Sequence, residues 1–268
     1  MKYLLILYLA VIVNAVGIGQ ESFKLIGDIK NAPLNFTTDN LNQMYLVKNN
    51  QVFKLNLKGD TLYTFSDKRL GEITEIDVSN TLRPILFFKK NAQIIVTDNT
   101  LSAHQTSYNL EQLNLYQTQL VATSLIDNGI WIYDQELFQL IKVNTSFERM
   151  YESGNLEQLL QKDSLNPSQL LENRGKVYLV SPNHGILIFD IYASYISTIP
   201  IKDLDQIQVK NENIYYLKNG RYYMYDVINF EETEITIPLS SIENIRLEKN
   251  HLFIYSSGKI SIYSIVKN

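Results

Sequence analysis

The sequence contains no cysteine, one tryptophan and three histidines in 268 residues. Without cysteine the chain has no disulfide, no zinc–thiolate site and no cysteine nucleophile. It also offers no cysteine to which a lipid-modified signal could be attached. These absences exclude several kinds of catalytic, metal and membrane-anchoring chemistry.

Long apolar runs are scarce, and the one that is present lies at the N-terminus. Lys2 precedes an apolar run over residues 3–13, and Gly17 and Gly19 provide small residues before Gln20. The run is shorter than the roughly 20 residues that a transmembrane helix needs. A charged start, a short apolar run and small residues are typical of a secretion signal.

We therefore predict that residues 1–19 are a signal peptide and that residues 20–268 form one soluble domain, located in the periplasm or outside the cell. No transmembrane segment or lipid anchor is expected in the mature chain. The alternatives are an uncleaved anchor or a hydrophobic first strand. Exported chains without disulfides are commoner in bacteria than among eukaryotic secreted domains.

Basic residues are outnumbered, 24 against 28 acidic, and the net charge is −4. Nucleic-acid-binding domains usually carry a basic stripe. We therefore expect no nucleic-acid partner.

Recognisable catalytic motifs are also absent. His104, His184 and His251 fall in different contexts, with no His-x-His or His-Glu-x-x-His spacing between them. The sequence contains neither a Gly-x-Ser-x-Gly nor a Gly-x-x-x-x-Gly-Lys motif. We therefore predict no catalytic, metal or cofactor residue.

The most informative stretch is residues 211–226, NENIYYLKNGRYYMYD. Two runs of aromatic and aliphatic residues flank Asn219 and Gly220. An Asn-Gly pair between two β-prone runs is a strong hairpin signal, because both central residues of a type I′ turn need a positive φ. The stretch is therefore predicted to be two strands joined by a tight turn.

Similar hairpins recur about every 40 residues along the chain. Their first strands begin at Met44, Ile85, Ile130, Val177, Ile214 and Leu252. A β-like segment precedes most of them, as at residues 73–78, 120–126, 167–171, 204–209 and 242–247. A fourth strand is predicted after each of the first five hairpins, at residues 61–65, 102–110, 147–151, 195–200 and 234–239.

Four strands in each period of about 40 residues are the pattern of a propeller blade. The fold class predicted is all-β, a six-bladed β-propeller of four-stranded antiparallel blades. Because the sixth repeat ends after three strands, residues 23–29 are predicted to complete the last blade and close the ring. A β-sandwich or a solenoid of hairpins is the alternative.

In this pattern the chain resembles small exported bacterial members of the β-propeller superfamily. It lacks subfamily motifs: Trp131 is followed by Ile132 rather than Asp, so no Trp-Asp signature is present. The sialidase box, paired kelch glycines and repeated quinoprotein tryptophans are also absent. The resemblance therefore implies the fold and no particular activity.

Two sets of residues are candidates for partner binding. The first set is basic and lies at or beside the second-to-third strand turns, which share one face of a propeller: Lys48, Lys89, Lys90, Lys218, Arg221 and Lys259. A locally basic face on an acidic protein would attract an acidic partner. The alternative is that lysine is simply common at exposed turns.

The second set lies in two similar insertions, Asn-Leu-Glu-Gln-Leu, at residues 109–113 and 155–159. Long loops in compact domains are often functional, so Leu110, Leu113, Leu156 and Leu159 are candidate docking residues. The second insertion, extended to Asp163, has leucines at helical spacing and is predicted to form a short helix. Spacers between blades are the alternative.

These observations favour a non-enzymatic, exported scaffold that binds protein partners, with a bacterial envelope complex as its setting. The alternative is a hydrolase, a lyase, or a binder of glycans or small ligands that uses the mouth of the central channel. Asp60-Thr61-Leu62 and Asp163-Ser164-Leu165 resemble the acceptor pattern of exported Bacteroidota glycoproteins, which agrees with export.

Overall fold

The computed structural model describes residues 22–103, 106–161 and 165–266. In these ranges the chain forms six antiparallel sheets of four strands each, arranged as a propeller. The predicted fold class is confirmed. The predicted signal peptide, His104, Asp163 and Ser164 lie outside the described residues.

Each sheet is one blade, numbered from the innermost strand outwards, and consecutive strands pair in order in blades one to five. Blade one contains β2 (Phe36–Thr38), β3 (Met44–Lys48), β4 (Gln51–Leu55) and β5 (Thr61–Ser66). Blade two contains β6 (Glu75–Asp77), β7 (Ile85–Phe88), β8 (Gln93–Val96) and β9 (Thr106–Asn109). Blade three contains β10 (Thr118–Thr123), β11 (Ile130–Asp134), β12 (Gln139–Val143) and β13 (Arg149–Glu152).

The remaining blades follow the same plan. Blade four contains β14 (Gln169–Asn173), β15 (Lys176–Ser181), β16 (Gly185–Asp190) and β17 (Tyr195–Ile199). Blade five contains β18 (Ile207–Lys210), β19 (Asn213–Lys218), β20 (Arg221–Asp226) and β21 (Glu231–Ile235). Blade six contains β22 (Asn244–Leu247), β23 (His251–Ser256), β24 (Lys259–Val266) and, as its outermost strand, β1 (Ser22–Lys30).

The N-terminal strand closes the ring, as predicted. β1 pairs antiparallel with β24, with Phe23 opposite Ile265 and Ile29 opposite Ile260. The last blade is thus built from both ends of the described chain. Closure leaves each blade with a neighbour on both sides, which protects the sheet edges.

The predicted hairpin in blade five is also confirmed. Asn219 and Gly220 both have positive φ, 52° and 73°. Lys218 pairs with Arg221 across the turn. A type I′ turn requires this conformation at both central residues.

Two strand predictions need correction. The outer strand of blade five was predicted at residues 234–239, but β21 is Glu231–Ile235. The apolar residues that suggested the later position, Ile237 and Leu239, instead pack against the hydrophobic cluster between blades five and six. The innermost strand of blade one, β2, was not anticipated, since it is only three residues long.

The hydrophobic core is divided into layers, most of them between adjacent blades. Trp131 and Tyr133 of β11 pack in one cluster with Val177 and Leu179 of β15. Phe253 of β23 joins Met44 and Leu46 of β3 in another cluster, which spans the point where the ring closes. Since the inner strands bury side chains on both of their faces, their sequences are nearly continuous apolar runs.

Helical structure is limited to short connections. These are α1 (Leu156–Leu160) and two 3-10 turns, Lys89–Asn91 and Leu110–Leu113. No helix in the described ranges is long and apolar enough to cross a membrane. The short helix predicted in the second insertion is confirmed.

Candidate functional site

The antiparallel blades define two faces of the disc. The turns between second and third strands and the connections from one blade to the next lie on the connection face. The loops between first and second strands and the turns between third and fourth strands lie on the loop face. The innermost strands surround the channel that joins the two faces.

The predicted basic turn residues do lie on the connection face. Lys89 and Lys90 begin the 3-10 turn after β7, and both are exposed. Lys218 and Arg221 flank the turn of blade five, and Lys259 begins β24. Lys48 ends β3 at the corresponding turn of blade one. The topology thus brings residues from four blades to one face.

Several of these basic groups have acidic neighbours. Lys90 Nζ lies 3.4 Å from Glu72, and Arg221 Nη1 lies 3.3 Å from Glu234. Lys259 Nζ lies 3.4 Å from Asp28. Exposed ion pairs of this kind contribute about 0–1 kcal/mol to stability. They also reduce the net positive charge that this face presents to a partner.

Lys89 and Lys218 bind neutral acceptors. Lys89 donates a hydrogen bond to Gln119, and Lys218 Nζ donates to the Lys202 carbonyl at 2.9 Å. Their positive charge is therefore not cancelled by a directly bonded carboxylate.

The two insertions have the same local structure. Asn109 and Asn155 cap the two helical segments, each accepting a hydrogen bond from a backbone N–H of the first turn. Leu110 and Leu156 follow directly and are fully buried. Both leucines belong to hydrophobic clusters that join one blade to the next.

The leucines later in the insertions are more accessible. Leu113 is half-buried against the core, and Leu159 is 55% exposed. The insertions therefore act as spacers through Leu110 and Leu156. They present apolar surface on the connection face chiefly through Leu159.

Polar side chains of the innermost strands bridge neighbouring blades around the channel. No sequence motif predicts them. The Gln169 amide accepts a hydrogen bond from Ile207 N at 2.7 Å and donates to the same residue's carbonyl at 3.2 Å. Gln208 makes the same pair of bonds with Leu247, at 2.7 and 3.1 Å. Each amide thereby provides hydrogen-bond partners for a backbone N–H and a carbonyl on the edge of the next blade's innermost strand.

Between blades two and three, carboxyl groups form the hydrogen bonds that bridge the innermost strands. Asp77 accepts a hydrogen bond from Thr123 N at 2.6 Å, and Glu75 accepts one from Val121 N at 3.3 Å. Burial raises the pKa of Glu75 to about 8, and the nearby Asp77 charge adds to the effect. Glu75 is therefore mainly protonated at neutral pH.

A buried ionic group joins blades five, six and one. Glu248 accepts a hydrogen bond from Thr38 Oγ1 at 2.6 Å and one from Lys210 Nζ at 2.7 Å. Because its two partners come from the blades on either side of its own, Glu248 stabilises the part of the ring where the two ends of the described chain meet.

Arg246 lies in β22, two residues before Glu248, and its side chain is half-buried. No hydrogen bond or ion pair connects it to any other residue that the structure describes, and its Nε is buried without a partner. Burial lowers the pKa of Arg246, although Glu248, Tyr222 and Asp77 oppose the shift electrostatically.

One feature of the sequence could have predicted the bridging polar residues of the innermost strands. Segments such as Ile73-Thr74-Glu75-Ile76-Asp77-Val78 place polar residues in alternation on a strand that is otherwise apolar. Polar side chains buried in a sheet need partners. In a propeller those partners lie on the next blade.

Apolar side chains stand out on the loop face. Leu41 is 61% exposed, Leu82 is 70% exposed and Ile126 is 56% exposed. They occupy the first-to-second strand loops of blades one, two and three, where Leu125 is also exposed. We call Leu41, Leu82, Leu125 and Ile126 the apolar arc.

Hydrogen bonds hold these three loops together. Thr81 Oγ1 donates to Asn40 at 2.7 Å, and Asn80 Nδ2 donates to Asn128 at 3.1 Å. His251 Nδ1 lies 3.0 Å from Asn42 Oδ1, which connects the first loop to blade six. The apolar arc is thus carried on loops that are bonded to one another.

The histidines are not brought together. His184 Nδ1 lies 3.0 Å from Ser181 Oγ on the connection face, whereas His251 is at the loop face. Among the residues that the structure describes, no group of three or more histidines or carboxylates could hold a metal ion.

No protein-family model and no curated protein sequence matches this chain. Solved structures do match. A streptogramin B lyase is similar over 92% of this chain and 88% of its own, with 14% identity and a TM-score of 0.61. A catalytically inactive virginiamycin B lyase from Staphylococcus aureus, solved with quinupristin, matches over 91% and 100%, with 12% identity and a TM-score of 0.59.

The Pan2 WD40 domain of Neurospora crassa is similar over 93% of this chain and 97% of its own, with 9% identity and a TM-score of 0.57. An enzyme and a WD40 domain thus share the same architecture. At these identities the likeness is one of fold, and it defines the chain as a β-propeller. Function has to be argued from the chain's own surfaces.

Proposed function

We propose that this protein is an exported, non-enzymatic scaffold that binds a protein partner in a bacterial envelope complex, in the periplasm or outside the cell. The apolar arc is the observation that carries the docking part of this proposal. Export is supported by the signal-like residues 1–19.

The apolar arc has the composition of a protein interface. Asparagine and threonine side chains lie between its apolar residues, and the one exposed carboxylate beside it, Asp127, is paired with Lys142 at 2.7 Å. The interiors of interfaces are similarly depleted of unpaired charge. Burying an exposed leucine or isoleucine side chain contributes roughly 1.5–3 kcal/mol. Because the loops are already bonded to one another, binding would cost little conformational entropy. The partner that fits is a protein with an uncharged apolar segment.

The connection face is proposed as a second contact, with Lys89, Lys90, Lys218, Arg221, Lys259 and the insertion leucines as its residues. Lys89 and Lys218 have no bonded carboxylate, so they are the strongest candidates for contacting an acidic partner. Leu159 adds exposed apolar surface on the same face.

A pull-down from native envelope with the tagged mature chain tests both faces. Leu41→Ser, Leu82→Ser and Ile126→Ser together should abolish capture of a stoichiometric partner. Ile228→Ser with Phe230→Ser is the matched control, because these residues are also exposed on the loop face but lie in blade five. Unchanged capture by the triple variant would refute docking at the apolar arc.

Charge reversal at Lys89, Lys90 and Lys218 tests the second contact in the same assay. This variant should fold normally and capture less partner, with the loss greatest at low salt because the attraction is electrostatic. Equal capture at all salt concentrations would remove the connection face from the proposal.

A hydrolase, a lyase or a glycan or small-ligand binder remains the second candidate, and one observation favours it. A carboxyl group that stays protonated at neutral pH, as Glu75 does, can serve as a general acid. The streptogramin B lyase and the virginiamycin B lyase show that this architecture can carry a lyase. Turnover of a substrate that is lost in Glu75→Gln would replace the scaffold proposal with this one.

A further inference from the structure

The sequence contains two Asn-Gly pairs, Asn128-Gly129 and Asn219-Gly220. An asparagine that precedes glycine is chemically labile, because no Cβ atom hinders the glycine nitrogen from reaching the asparagine side chain. Both pairs lie in turns between strands, the first on the loop face and the second on the connection face. Their surroundings differ enough to predict different reactivity.

The reaction is a loss of ammonia followed by the addition of water. The glycine backbone nitrogen gives up its proton and forms a bond to the asparagine Cγ. The Cγ–Nδ2 bond breaks, and ammonia leaves with that proton. Water then adds to either carbonyl of the five-membered ring and opens it to aspartate or isoaspartate. Nothing is oxidised or reduced, and water is the only co-reactant.

The pair in blade five is unhindered. Asn219 and Gly220 are both exposed at the tip of the hairpin, and a Cβ atom built on Gly220 would meet nothing within 4 Å. Neither the Asn219 side chain nor the Gly220 N–H forms a hydrogen bond with another residue in the described part of the chain. The turn has to distort before the nitrogen reaches Cγ, and at an exposed hairpin tip this distortion costs little.

The pair in blade three is held in place. The Gly129 N–H donates to Asp127 Oδ1 at 3.0 Å, and Asn80 Nδ2 donates to Asn128 Oδ1 at 3.1 Å. Gly129 is buried, and a Cβ atom there would clash with the Val143 carbonyl oxygen. A hydrogen bond to a carboxylate opposes removal of the proton from the attacking nitrogen. This asparagine should therefore react slowly.

We propose that Asn219 is a site of spontaneous deamidation, at which the folded protein converts a neutral side chain to a carboxylate. Both products place a negative charge between Lys218 and Arg221, which pair across the turn. Isoaspartate also adds an atom to the backbone, so a two-residue turn no longer fits between these partners and the tip of the hairpin loosens.

The new charge changes the connection face. Lys218 Nζ donates to a carbonyl group and has no bonded carboxylate, which makes it a candidate for contacting an acidic partner. A carboxylate on the next residue would weaken that attraction. This consequence rests on the proposed docking function, whereas the modification itself does not.

Peptide mapping by mass spectrometry, after incubation of the mature protein at pH 8.5, tests the modification. Chymotrypsin is used, since trypsin would cleave at Lys218 and Arg221 and leave a fragment too short to follow. In the folded protein Asn219 should convert at least about tenfold faster than Asn128. Conversion should slow at pH 6, where the attacking nitrogen keeps its proton.

Protein unfolded in urea is the control, because only the fold distinguishes the two pairs. There Asn128 and Asn219 should convert at comparable rates. Equal rates in the folded protein would overturn the proposal. It would also be wrong if Asn219 reacted only in the unfolded chain, since the turn would then protect it.

Two variants separate the modification from its effect on docking. Asn219→Gln should stay unmodified, because its ring closure would need a six-membered ring, and Asn219→Asp carries the product charge from the start. Conversion of the same peptide in Asn219→Gln would show that another residue reacts. Asn219→Asp should capture less partner than Asn219→Gln in the pull-down, and equal capture would remove the docking consequence while the peptide map still decides the modification.

Discussion

Glu75 and Gln208 both reach from an innermost strand to the next blade, but their chemistry differs. An amide donates and accepts at the same time, so Gln208 satisfies both the N–H and the carbonyl of Leu247. An ionised carboxylate can only accept. Protonation of Glu75 restores a donor, which fits with the raised pKa of this residue.

This difference predicts a pH dependence of stability. Because the pKa of Glu75 rises from 4.5 to about 8 on folding, the folded protein holds a proton that the unfolded chain releases. Stability should therefore fall as pH rises from about 4.5 to about 8. Glu75→Gln, which mimics the protonated form, should be more stable than the natural protein at pH 8.5 by about 4 kcal/mol.

Urea unfolding at pH 5 and pH 8.5 measures this effect. The advantage of Glu75→Gln should nearly disappear at pH 5, where the natural side chain is protonated when folded and partly protonated when unfolded. A difference between the two proteins that does not change with pH would contradict the raised pKa.

Glu172 carries a second prediction at the same scale. It accepts hydrogen bonds from Trp131 Nε1 at 2.6 Å and from Leu125 N at 3.1 Å. Glu172→Ala leaves the buried indole N–H without an acceptor and should reduce the free energy of unfolding by about 2–4 kcal/mol. Glu172→Gln keeps an acceptor oxygen and should lose less.

The sole tryptophan provides a probe for the reduced stability of the Glu172 variants. Trp131 fluorescence reports both unfolding and the polarity around the indole, so the variants can be compared in one urea titration. If alanine and glutamine variants prove equally stable, the two hydrogen bonds contribute nothing net to the fold.

At the scale of elements, helix α1 combines a core residue with a surface residue. Leu156 is fully buried between blades three and four, and Leu159 is 55% exposed. Leu156→Ala should therefore cost about 2–4 kcal/mol of stability through the cavity it leaves. Leu159→Ala should change stability by less than about 0.5 kcal/mol.

These two variants separate the spacer role of the insertion from docking. Thermal unfolding measures stability, and partner capture measures docking. Loss of capture in a stable Leu159→Ala variant would support the connection face. A Leu156→Ala variant as stable as the natural protein would show that the insertion does not support the core.

Strand β1 carries the prediction about ring closure. Deleting residues 23–29 removes the outer strand of blade six and leaves the edge of β24 unpaired. We expect the melting temperature to fall by about 10 °C or more, as a loss of several kcal/mol implies for a chain of this size.

A chain that begins at residue 21 is the control for this deletion, because it keeps all of β1. Circular dichroism during heating compares the two. Equal melting temperatures would show that closure by β1 does not stabilise the propeller.

At the scale of the whole molecule, the two faces differ in chemistry. The connection face carries the basic turns and the insertions, whereas the loop face carries the apolar arc. The disc therefore presents distinct surfaces to partners on either side, and between them polar side chains of the innermost strands join neighbouring blades.

The turns and the repeat of the fold could be predicted from the sequence, because the interactions that define them are local. Asn219 and Gly220 define a turn through their own backbone preferences, and the period of about 40 residues follows from repeated strand and turn signals. Closure by residues 23–29 followed from a missing strand at one end and a spare strand at the other. Strand β21 was misplaced because its residues are largely exposed, while the apolar run after it packs between blades.

By itself, then, the sequence determined the all-β class, the number of blades, the closing strand and the face on which the basic turns lie. Only the tertiary structure decided that Leu110 and Leu156 are core residues, that Leu41, Leu82 and Ile126 lie on neighbouring loops, and that Glu75 and Gln208 bond to the next blade. Strand and turn signals come from neighbours along the chain. The other properties depend on contacts between blades, whose residues lie far apart in sequence, and no local pattern specifies which side chains meet there.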